Sequence, residues 1–294
     1  MNNIKNDHSY HDIYDYVEKL KELNVLIIGE VIIDEYVFCN SVGKSGKEPV
    51  MVSKKIRTEK YVSGVLSVAN HISEFCNNIK VLSYLGKKNQ YKDLINNNIS
   101  GNITFEYIEK INSPTILKTR YIDDYTKTKI QGIYDINDEI INKYEEDKFI
   151  KLIDENINDY DLVIVVDYGH GLITPKIVKR LEKESKFLSV NTQLNSFNSS
   201  FHSISKYQHA DYVCVHSGEL RHDYRNRYDS EENLMKDLYK RMDLKSLTIT
   251  LGKKGSLMLN NSVLIKCPAF ASKIVDRVGA GDTFLAITSL CVVK

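Results

Sequence analysis

The stretch Val278-Gly279-Ala280-Gly281-Asp282-Thr283-Phe284 places a carboxylate directly behind a glycine-rich turn. The apolar run Phe284-Leu285-Ala286-Ile287 follows, so the pattern predicts a helix that opens on small residues. The free N–H groups and the positive dipole end of such a helix suit a phosphate. An anion cradle beside Asp282 fits phosphoryl transfer to a hydroxyl. Taken alone, the stretch leaves a second interpretation open, a turn with an aspartate that caps a helix.

Five further stretches accompany this one in chain order: VLIIGEVIID at 25–34, SGVLSVAN at 63–70, DYGHGL at 167–172, HSGE at 216–219 and TLGKKG at 250–255. With DRVGAGDTF at 276–284, they resemble the signatures of the ribokinase-like (PfkB) carbohydrate kinases from about residue 24 onward. The similarity is greatest to the D-glycero-β-D-manno-heptose-7-phosphate 1-kinase branch, which serves ADP-heptose synthesis. The resemblance implies ATP-dependent phosphorylation of a sugar or sugar phosphate with Mg²⁺.

Short β-branched runs alternate with helical patterns, which predicts a doubly wound, mainly parallel sheet with helices on both faces. The predicted strands are 25–29, 80–85, 162–167, 187–190, 212–215 and 247–251, and the predicted helices are 65–76, 144–156, 175–184 and 231–242. Period-two patterns within 36–62 and 103–134 predict the strands of a small β lid over the sugar site. We expect residues 23–294 to form the kinase domain, behind an N-terminal extension of residues 1–22.

Composition excludes several other classes of function. The 294 residues include 40 basic and 39 acidic ones, and this balance argues against a nucleic-acid footprint or a polybasic membrane surface. Five cysteines without a C-x-x-C pair favour reduced thiols over a zinc site. Residues 1–22 lack the apolar core of a signal peptide, and no apolar run is long enough to span a bilayer. We therefore expect a cytoplasmic protein.

The resemblance implies roles for residues around the acceptor sugar. Asp282 matches the catalytic base, and the backbone N–H groups of Gly279, Ala280 and Gly281 would stabilise the transferring phosphoryl group. Gly64, Glu48 and Asp167 match positions of the sugar pocket, where Gly64 would let a helix start approach the sugar. Asp34 follows the first predicted strand, at the edge where open α/β sheets bind ligands. It would accept hydrogen bonds from sugar hydroxyls, although a turn-capping aspartate is the alternative.

The remaining predicted site residues concern phosphates. Lys118 and Arg120 alternate onto one face of a lid strand, where they could hold a phosphate already on the sugar or remain solvated. Gly252 and Gly255 suit a nucleotide loop, which a simple β-turn would explain equally well. Glu219 would bind Mg²⁺ through water, because Mg²⁺ keeps much of its hydration shell; a solvated residue in the charged stretch 219–227 is the alternative.

Some positions depart from the family pattern. Ser63 and Ser67 replace a glycine and an asparagine, and His170 stands where lysine is common. Few residues follow Asp282, whereas the resemblance implies further helices around the adenine, so we expect a piece of a longer protein or a truncated product. A nucleotidyltransferase domain or protein and a homodimer through the lid are the expected partners. Two alternatives stay open: another PfkB sugar kinase, and a catalytically weak sugar-binding or scaffold protein.

Overall fold

A computed structural model describes residues 9–88, 90–271 and 279–294. In these ranges the strands are β1 Asn24–Gly29, β2 Val31–Lys44, β3 Met51–Gly64, β4 Asn78–Lys88, β5 Ile103–Pro114, β6 Ile116–Asp123, β7 Lys129–Asp135, β8 Leu162–Asp167, β9 Leu188–Thr192, β10 Tyr212–His216, β11 Ser246–Thr250, β12 Ser256–Asn260 and β13 Val263–Cys267. The α-helices are α1 Tyr10–Leu20, α2 Val65–Ile72, α3 Lys92–Asn96, α4 Lys143–Asp154, α5 Pro175–Glu184, α6 Ser217–Asp223, α7 Glu231–Arg241 and α8 Ala280–Val293.

The larger sheet has the strand order β13-β12-β11-β10-β9-β8-β1-β4-β5 within the described residues. All neighbours pair in parallel except β11 with β12 and β12 with β13, which are antiparallel. The central strands β1 and β8 are almost entirely buried, and their sequences are nearly continuous apolar runs. Such runs are typical of parallel strands covered on both faces. The predicted doubly wound, mainly parallel α/β sheet is confirmed.

A second sheet, here called the lid sheet, has the strand order β3-β2-β6-β7. Strand β2 pairs antiparallel with β3 and parallel with β6. Residues 36–62, predicted as lid strands, lie within β2, β3 and their connection. The prediction that the other lid segment starts at residue 103 was wrong, because β5 pairs with β4 at the edge of the larger sheet. A half-exposed edge strand alternates polar and apolar residues just as a lid strand does, so periodicity cannot distinguish the two.

Gly64 turns the chain from the lid sheet into α2. Its φ is +66°, and a Cβ atom there would lie 2.4 Å from the carbonyl oxygen of Glu30. The next residue, Val65, donates its backbone N–H to that same oxygen over 3.1 Å. Only glycine allows this close approach. The turn sets α2 against α8, and His71 Nε2 lies 2.9 Å from Thr283 Oγ1 across that contact.

Helix α1 lies within the predicted N-terminal extension and packs near the last helix. Ser9 caps it, and Tyr16 donates its hydroxyl to the carbonyl oxygen of Cys291 over 2.5 Å. Leu20 at its end is buried in the core. Among the helices of residues 9–88, 90–271 and 279–294, none combines the length and the apolar character needed to cross a membrane.

Candidate active site

Three charged side chains from separate elements meet between the lid sheet and the larger sheet. Asp34 lies on β2, Lys118 on β6 and Asp282 in the first turn of α8. Their charges interact pairwise: Asp34 and Lys118 both act on Asp282, and Asp34 acts on Lys118. All three are at least nine-tenths buried by relative surface area. The structure therefore brings together the predicted base, the predicted sugar-binding carboxylate and one of the predicted lid cations.

Asp282 is a carboxylate whose pKa is raised to about 6. The main cause is burial, which disfavours the charged form, and the neighbouring Asp34 charge adds to it; Tyr168 and Lys118 oppose both. A carboxylate with a pKa near 6 is ionised at neutral pH, yet it is far more basic than an exposed aspartate. That combination suits a general base for a hydroxyl proton.

The N-terminus of α8 has the backbone donors that suit an anion. Gly279 precedes the helix in a left-handed conformation with φ +78°, and no side chain caps it. The N–H groups of the first turn have no partner within a helix. Among the described residues outside this turn, no atom lies within 4 Å of the position that a Cβ atom on Gly279 or Gly281 would take. Residues 276–278 of the quoted signature lie outside the described residues.

Arg120 forms an ion pair and hydrogen bond with Asp34. Lys118 and Arg120 lie over the ring of Tyr134 at 5.8 and 5.9 Å from its centroid, as their alternation on β6 predicts. Burial lowers the pKa of Lys118, and the Asp34 charge opposes that shift. Within the described part of the chain, no hydrogen bond or ion pair engages Lys118 Nζ. Because Lys118 is buried and Arg120 pairs with Asp34, the alternative of two solvated lid residues is wrong.

Asp34 itself occupies a different place from the expected one. It is the fourth residue of β2, inside the lid sheet, and not at the end of the first strand of the larger sheet. Strand β1 ends at Gly29 and β2 begins at Val31, and at Glu30 between them the chain leaves the larger sheet for the lid sheet. The sequence does not show this strand boundary, because the residues on both sides of Glu30 in 25–33 are apolar and buried. Asp34 still faces the cleft, paired with Arg120, so it is not a turn-capping aspartate.

Asp167 is not exposed in the cleft, although it was predicted to bind substrate. Its carboxylate is fully buried and accepts hydrogen bonds from Lys206 Nζ at 2.7 Å and Tyr207 Oη at 2.8 Å. Burial alone would raise the pKa of Asp167, but Lys206 and His202 hold it below its usual value. The side chain thus belongs to an internal network behind the site, since a buried charge requires partners.

Glu219 lies near Asp282 and is neither solvated nor free. Its two carboxylate oxygens accept the backbone N–H groups of Leu194 and His216, at 3.1 and 2.7 Å, which caps α6. Burial raises the pKa of Glu219 to about 7, and the charge of Asp282 adds to that shift. The predicted contact of Glu219 with Mg²⁺ through water remains a hypothesis. The position of Glu219 near Asp282 is compatible with it.

The loop with Gly252 and Gly255 follows β11. Gly255 has φ +88°, and a Cβ atom there would lie 2.0 Å from the carbonyl oxygen of Cys267, so the turn itself requires glycine. Gly252 has φ +59°, and no atom of the described residues, apart from its chain neighbours, lies within 4 Å of the position of its Cβ atom. The β-turn interpretation therefore accounts for Gly255, while Gly252 remains available for a ligand.

Glu48 is placed far from the cleft by the lid hairpin. It is exposed in the connection between β2 and β3, beyond the last paired residues Lys44 and Met51. Ten residues of strand separate Lys44 from Asp34, which corresponds to about 33 Å of extended chain. Within one chain, Glu48 does not contribute to the pocket that holds Asp34, contrary to the prediction.

Sequence reasoning missed Glu30 and assigned no role to Tyr168. Glu30 is fully buried, and its carboxylate accepts the backbone N–H groups of Tyr168 at 3.1 Å and His170 at 3.0 Å. Burial and the neighbouring Asp167 raise the pKa of Glu30. The signal was present, because an acid inside the apolar run 25–33 must find polar partners. His170, which stands where lysine is common in the family pattern, is also fully buried.

With this geometry in place, comparison with known proteins identifies the family. A family model described as pfkB family carbohydrate kinase matches residues 22–289. The chain belongs to that family, and it is a carbohydrate kinase. Membership implies the use of ATP and typically of a divalent metal. Among the described residues, no cluster of three or more His, Cys, Asp or Glu side chains is arranged to hold a metal ion by itself.

Similar proteins cover most of the chain. It is 27% identical over 270 residues to the bifunctional protein HldE of Campylobacter jejuni (strain RM1221), covering 91% of this chain and 56% of that protein. It is 28% identical over 282 residues to the bifunctional protein HldE of Helicobacter pylori (strain Shi470), covering 92% of this chain and 58% of that protein. The chain thus spans a little over half the length of these relatives.

Solved structures support the fold. The tetrameric inhibited form of phosphofructokinase-2 from Escherichia coli is similar with a TM-score of 0.71 at 12% identity, covering 92% of this chain and 88% of that chain. Arabidopsis thaliana ribokinase complexed with ribose and ATP gives a TM-score of 0.65 at 16% identity, covering 92% of this chain and 86% of that chain.

Proposed function

We propose that this carbohydrate kinase transfers the γ-phosphoryl group of ATP to a sugar phosphate, with heptose 7-phosphate as the acceptor and O1 as the phosphorylated hydroxyl. The observation that carries the proposal is the buried cluster of Asp282, Asp34 and Lys118, which combines a base, a hydroxyl-binding carboxylate and a cation without an ion pair. The similarity to HldE proteins supports the heptose assignment. Another sugar or sugar phosphate is the alternative within the same class.

Asp282 acts in this proposal as the general base. Its carboxylate accepts the proton of the acceptor hydroxyl while the γ-phosphoryl group moves to that oxygen. The N–H groups of Gly279, Ala280 and Gly281 stabilise the charge of the transferring group, since they have no partner within the helix. Base and donors lie in one helical turn, so both reach the same reacting centre.

Asp34 and Arg120 orient the acceptor. Arg120 pairs with one carboxylate oxygen of Asp34, which leaves the other oxygen to accept sugar hydroxyls. Gly64 brings the start of α2 next to β2, close to the same carboxylate. The rings of Tyr36 and Tyr134 lie 5.6 and 5.9 Å from the Arg120 guanidinium and form an aromatic wall beside it.

Lys118 supplies the argument for a phosphate on the acceptor. A buried ammonium group that lacks an ion-pair partner carries a desolvation penalty, which the lowered pKa of Lys118 reflects. A dianionic phosphate would remove that penalty through charge-assisted hydrogen bonds. A neutral sugar would leave it in place. The cation therefore favours a sugar phosphate over an unphosphorylated sugar.

The residues near Asp282 fit a nucleotide and a hydrated Mg²⁺ ion. No atom of the described residues, apart from its chain neighbours, crowds the Cβ position of Gly252 after β11, and Glu219 stands close enough to Asp282 for their charges to interact. Both Glu219 oxygens already accept backbone N–H groups, which suits contact through water better than direct ligation. When bound, Mg²⁺ neutralises phosphate charge.

The same proposal covers the protein's cellular location and its partners. A cytoplasmic kinase of this kind would produce heptose 1,7-bisphosphate; after removal of the 7-phosphate by a separate phosphatase reaction, a nucleotidyltransferase domain or protein would use the 1-phosphate for ADP-heptose and surface-glycan synthesis. The name "bifunctional protein" of the relatives, and the fraction of their length that this chain covers, support a second activity next to this one. A homodimer through the lid sheet would place Glu48 near another subunit.

A coupled ADP-release assay tests the function. The panel contains heptose 7-phosphate, hexose 6-phosphates, ribose and unphosphorylated heptose, each with ATP and Mg²⁺, and Asp282→Asn serves as the inactive reference. We expect the highest kcat/KM with heptose 7-phosphate. A preference for an unphosphorylated sugar would contradict the acceptor assignment. No ADP release above Asp282→Asn with any acceptor, together with measurable sugar binding by calorimetry, would instead establish the sugar-binding alternative.

A further inference from the structure

Tyr168 has a buried hydroxyl that the proposed mechanism does not use. The residue follows β8 and is 2% exposed. Its Oη makes no hydrogen bond of normal geometry within the described part of the chain. The hydroxyl nevertheless lies close enough to the Asp282 carboxyl group to lower the pKa of that group. Buried hydroxyls without a partner are uncommon in proteins, so this one requires an explanation.

The backbone of Tyr168 is fixed on both sides. Its N–H donates to Glu30 Oε2 over 3.1 Å, and its carbonyl oxygen accepts from Asn195 Nδ2 and Asn198 Nδ2, each at 2.8 Å. Glu30 is itself fully buried and also holds the backbone of His170. These contacts leave the Tyr168 ring little freedom. Three polar side chains, those of Glu30, Asn195 and Asn198, thus hold the backbone that carries this phenol.

We propose that Tyr168 is a positioning residue, whose hydroxyl donates a hydrogen bond to the Asp282 carboxylate when the acceptor sugar occupies the cleft. The inference deepens the proposed kinase function and rests on Asp282 as its base. Catalytic hydrogen bonds are often long in the absence of substrate and shorten in the substrate complex. The donor orients the carboxylate toward the acceptor hydroxyl and favours its ionised form.

The direction of the effect on pH dependence follows from the groups that face Asp282. Asp34 from β2 and Glu219 from α6 are acids and disfavour its ionisation; Lys118 from β6 and the Tyr168 hydroxyl favour it. Loss of the hydroxyl therefore raises the pKa of Asp282. Because the base must be ionised, the acidic limb of the kcat profile moves to higher pH.

The test is Tyr168→Phe, which keeps the ring and removes only the hydroxyl. We expect the acidic limb of kcat to move up by about one pH unit and kcat at pH 6.5 to fall about three- to tenfold, since one pKa unit is a tenfold change in ionisation. KM for the acceptor should stay within about twofold, because the hydroxyl acts through Asp282.

The matched control is Tyr212→Phe. Tyr212 is also fully buried, and its hydroxyl lies 2.9 Å from Thr288 Oγ1 on α8, the same helix that carries Asp282. The substitution Tyr212→Phe removes a buried phenol oxygen that lies outside the cleft, so the pH profile of kcat for this variant should match that of the wild type. A shift of equal size in Tyr212→Phe would assign the effect to α8 packing and overturn the proposal.

Two further measurements separate the possible outcomes. A ¹³C NMR titration of the Asp282 carboxyl carbon in the unmodified chain and in Tyr168→Phe should show the higher pKa in the variant, independent of turnover. In an Asp282→Asn background, Tyr168→Phe should cause no additional loss of kcat. An additional loss, or a raised KM, would mean that the hydroxyl contacts substrate itself. Full activity of Asp282→Asn would overturn both the base and the positioning role, whereas an inactive Asp282→Asn with an unshifted Tyr168→Phe would overturn only the latter.

Discussion

Asp34 and Lys118 are partners in register on the adjacent parallel strands β2 and β6. Side chains in register on neighbouring strands point to the same face of a sheet. Thr119 therefore points to the opposite face, where its hydroxyl donates to Glu35 over 2.7 Å. The alternation of β6 thus divides its side chains between the cleft and the outer face of the lid. One strand carries both cations, Lys118 and Arg120, to the side where Asp34 lies.

The role of Asp282 gives the first prediction. Asp282→Asn should lower kcat by roughly 100-fold or more, because general-base catalysis typically supplies a factor of 10²–10⁴. The amide keeps the packing and removes the proton acceptor. Single-turnover kinetics with heptose 7-phosphate measures the chemical step. Asp159→Asn, at an exposed position, is the matched control and should retain wild-type turnover. Turnover of Asp282→Asn within twofold of wild type would exclude the residue as base.

The stability of the same variant should depend on pH. The pKa of Asp282 is raised to about 6 in the folded protein, above its ordinary value of 3.8. A raised pKa means that the folded state binds the proton more tightly, so this stabilisation is full below about pH 4 and lost as pH rises through 6. Asp282→Asn avoids that loss. The free energy of unfolding of Asp282→Asn minus that of wild type should be about 2–3 kcal/mol larger at pH 7.5 than at pH 4, so the variant gains relative stability as pH rises.

Urea denaturation of wild type and Asp282→Asn at the two pH values measures this difference. Titrating groups that do not interact with Asp282 are common to both proteins, so their contributions cancel in the comparison. An equal difference at pH 4 and pH 7.5 would show that burial does not perturb the carboxylate. The opposite sign would indicate that its ionised form is stabilised by the fold.

Lys118 gives a prediction about the acceptor. Lys118→Met keeps the apolar part of the side chain and removes the charge. KM for the sugar phosphate should rise by about tenfold or more, since a charge-assisted hydrogen bond contributes about 1.5–3 kcal/mol and 1.4 kcal/mol is a factor of ten. KM for ATP should change little. Steady-state kinetics with varied acceptor checks both values.

Lys54→Met is the control for that experiment, because Lys54 is exposed on β3 of the same lid sheet. It should leave both KM values unchanged. Arg120→Met should also raise KM for the acceptor, but it removes the ion-pair partner of Asp34 as well and is less selective. If Lys118→Met raises KM equally for a sugar and for its phosphate, the cation does not recognise phosphate.

A substitution at Gly281 should affect stability and activity in different ways. Gly281 lies in the first turn of α8, and among the described residues outside that turn no atom lies within 4 Å of the position of its Cβ atom. Alanine is a better helix former than glycine by up to about 1 kcal/mol, so Gly281→Ala should keep or slightly raise stability. Its methyl group would displace the transferring phosphoryl group from the backbone donors, so kcat should fall by about 100-fold or more, since one lost donor contact is worth about 3 kcal/mol.

Thermal unfolding and the ADP-release assay measure the two effects in parallel. Gly101→Ala is the matched control, since no atom of the described residues, apart from its chain neighbours, lies within 4 Å of its Cβ position and the residue lies far along the chain from the site signatures. It should be neutral in both assays. Wild-type turnover of Gly281→Ala would show that the phosphoryl group does not approach this part of the backbone.

The fold and a large part of the site could be predicted from the sequence, because the signals involved are local. The buried strand 162–167 and the helix 175–184 matched their predictions residue for residue, since an apolar run and a Thr-Pro cap mark them directly. The position of Gly279 before α8 follows from its backbone freedom. The lid assignment of 103–114 failed because an edge strand and a lid strand share one periodicity.

The sequence by itself determined the family, the parallel sheet and the glycine-rich start of α8, because motif spacing and periodicity are properties of neighbouring residues. Only the tertiary structure decided that Arg120 pairs with Asp34, that Asp167 is enclosed by Lys206 and Tyr207, and that Tyr168 faces Asp282. These partners are tens of residues or more apart in the chain. Their meeting depends on how two sheets and one helix pack together, and the cost of burying each charge then fixes which side chains must pair.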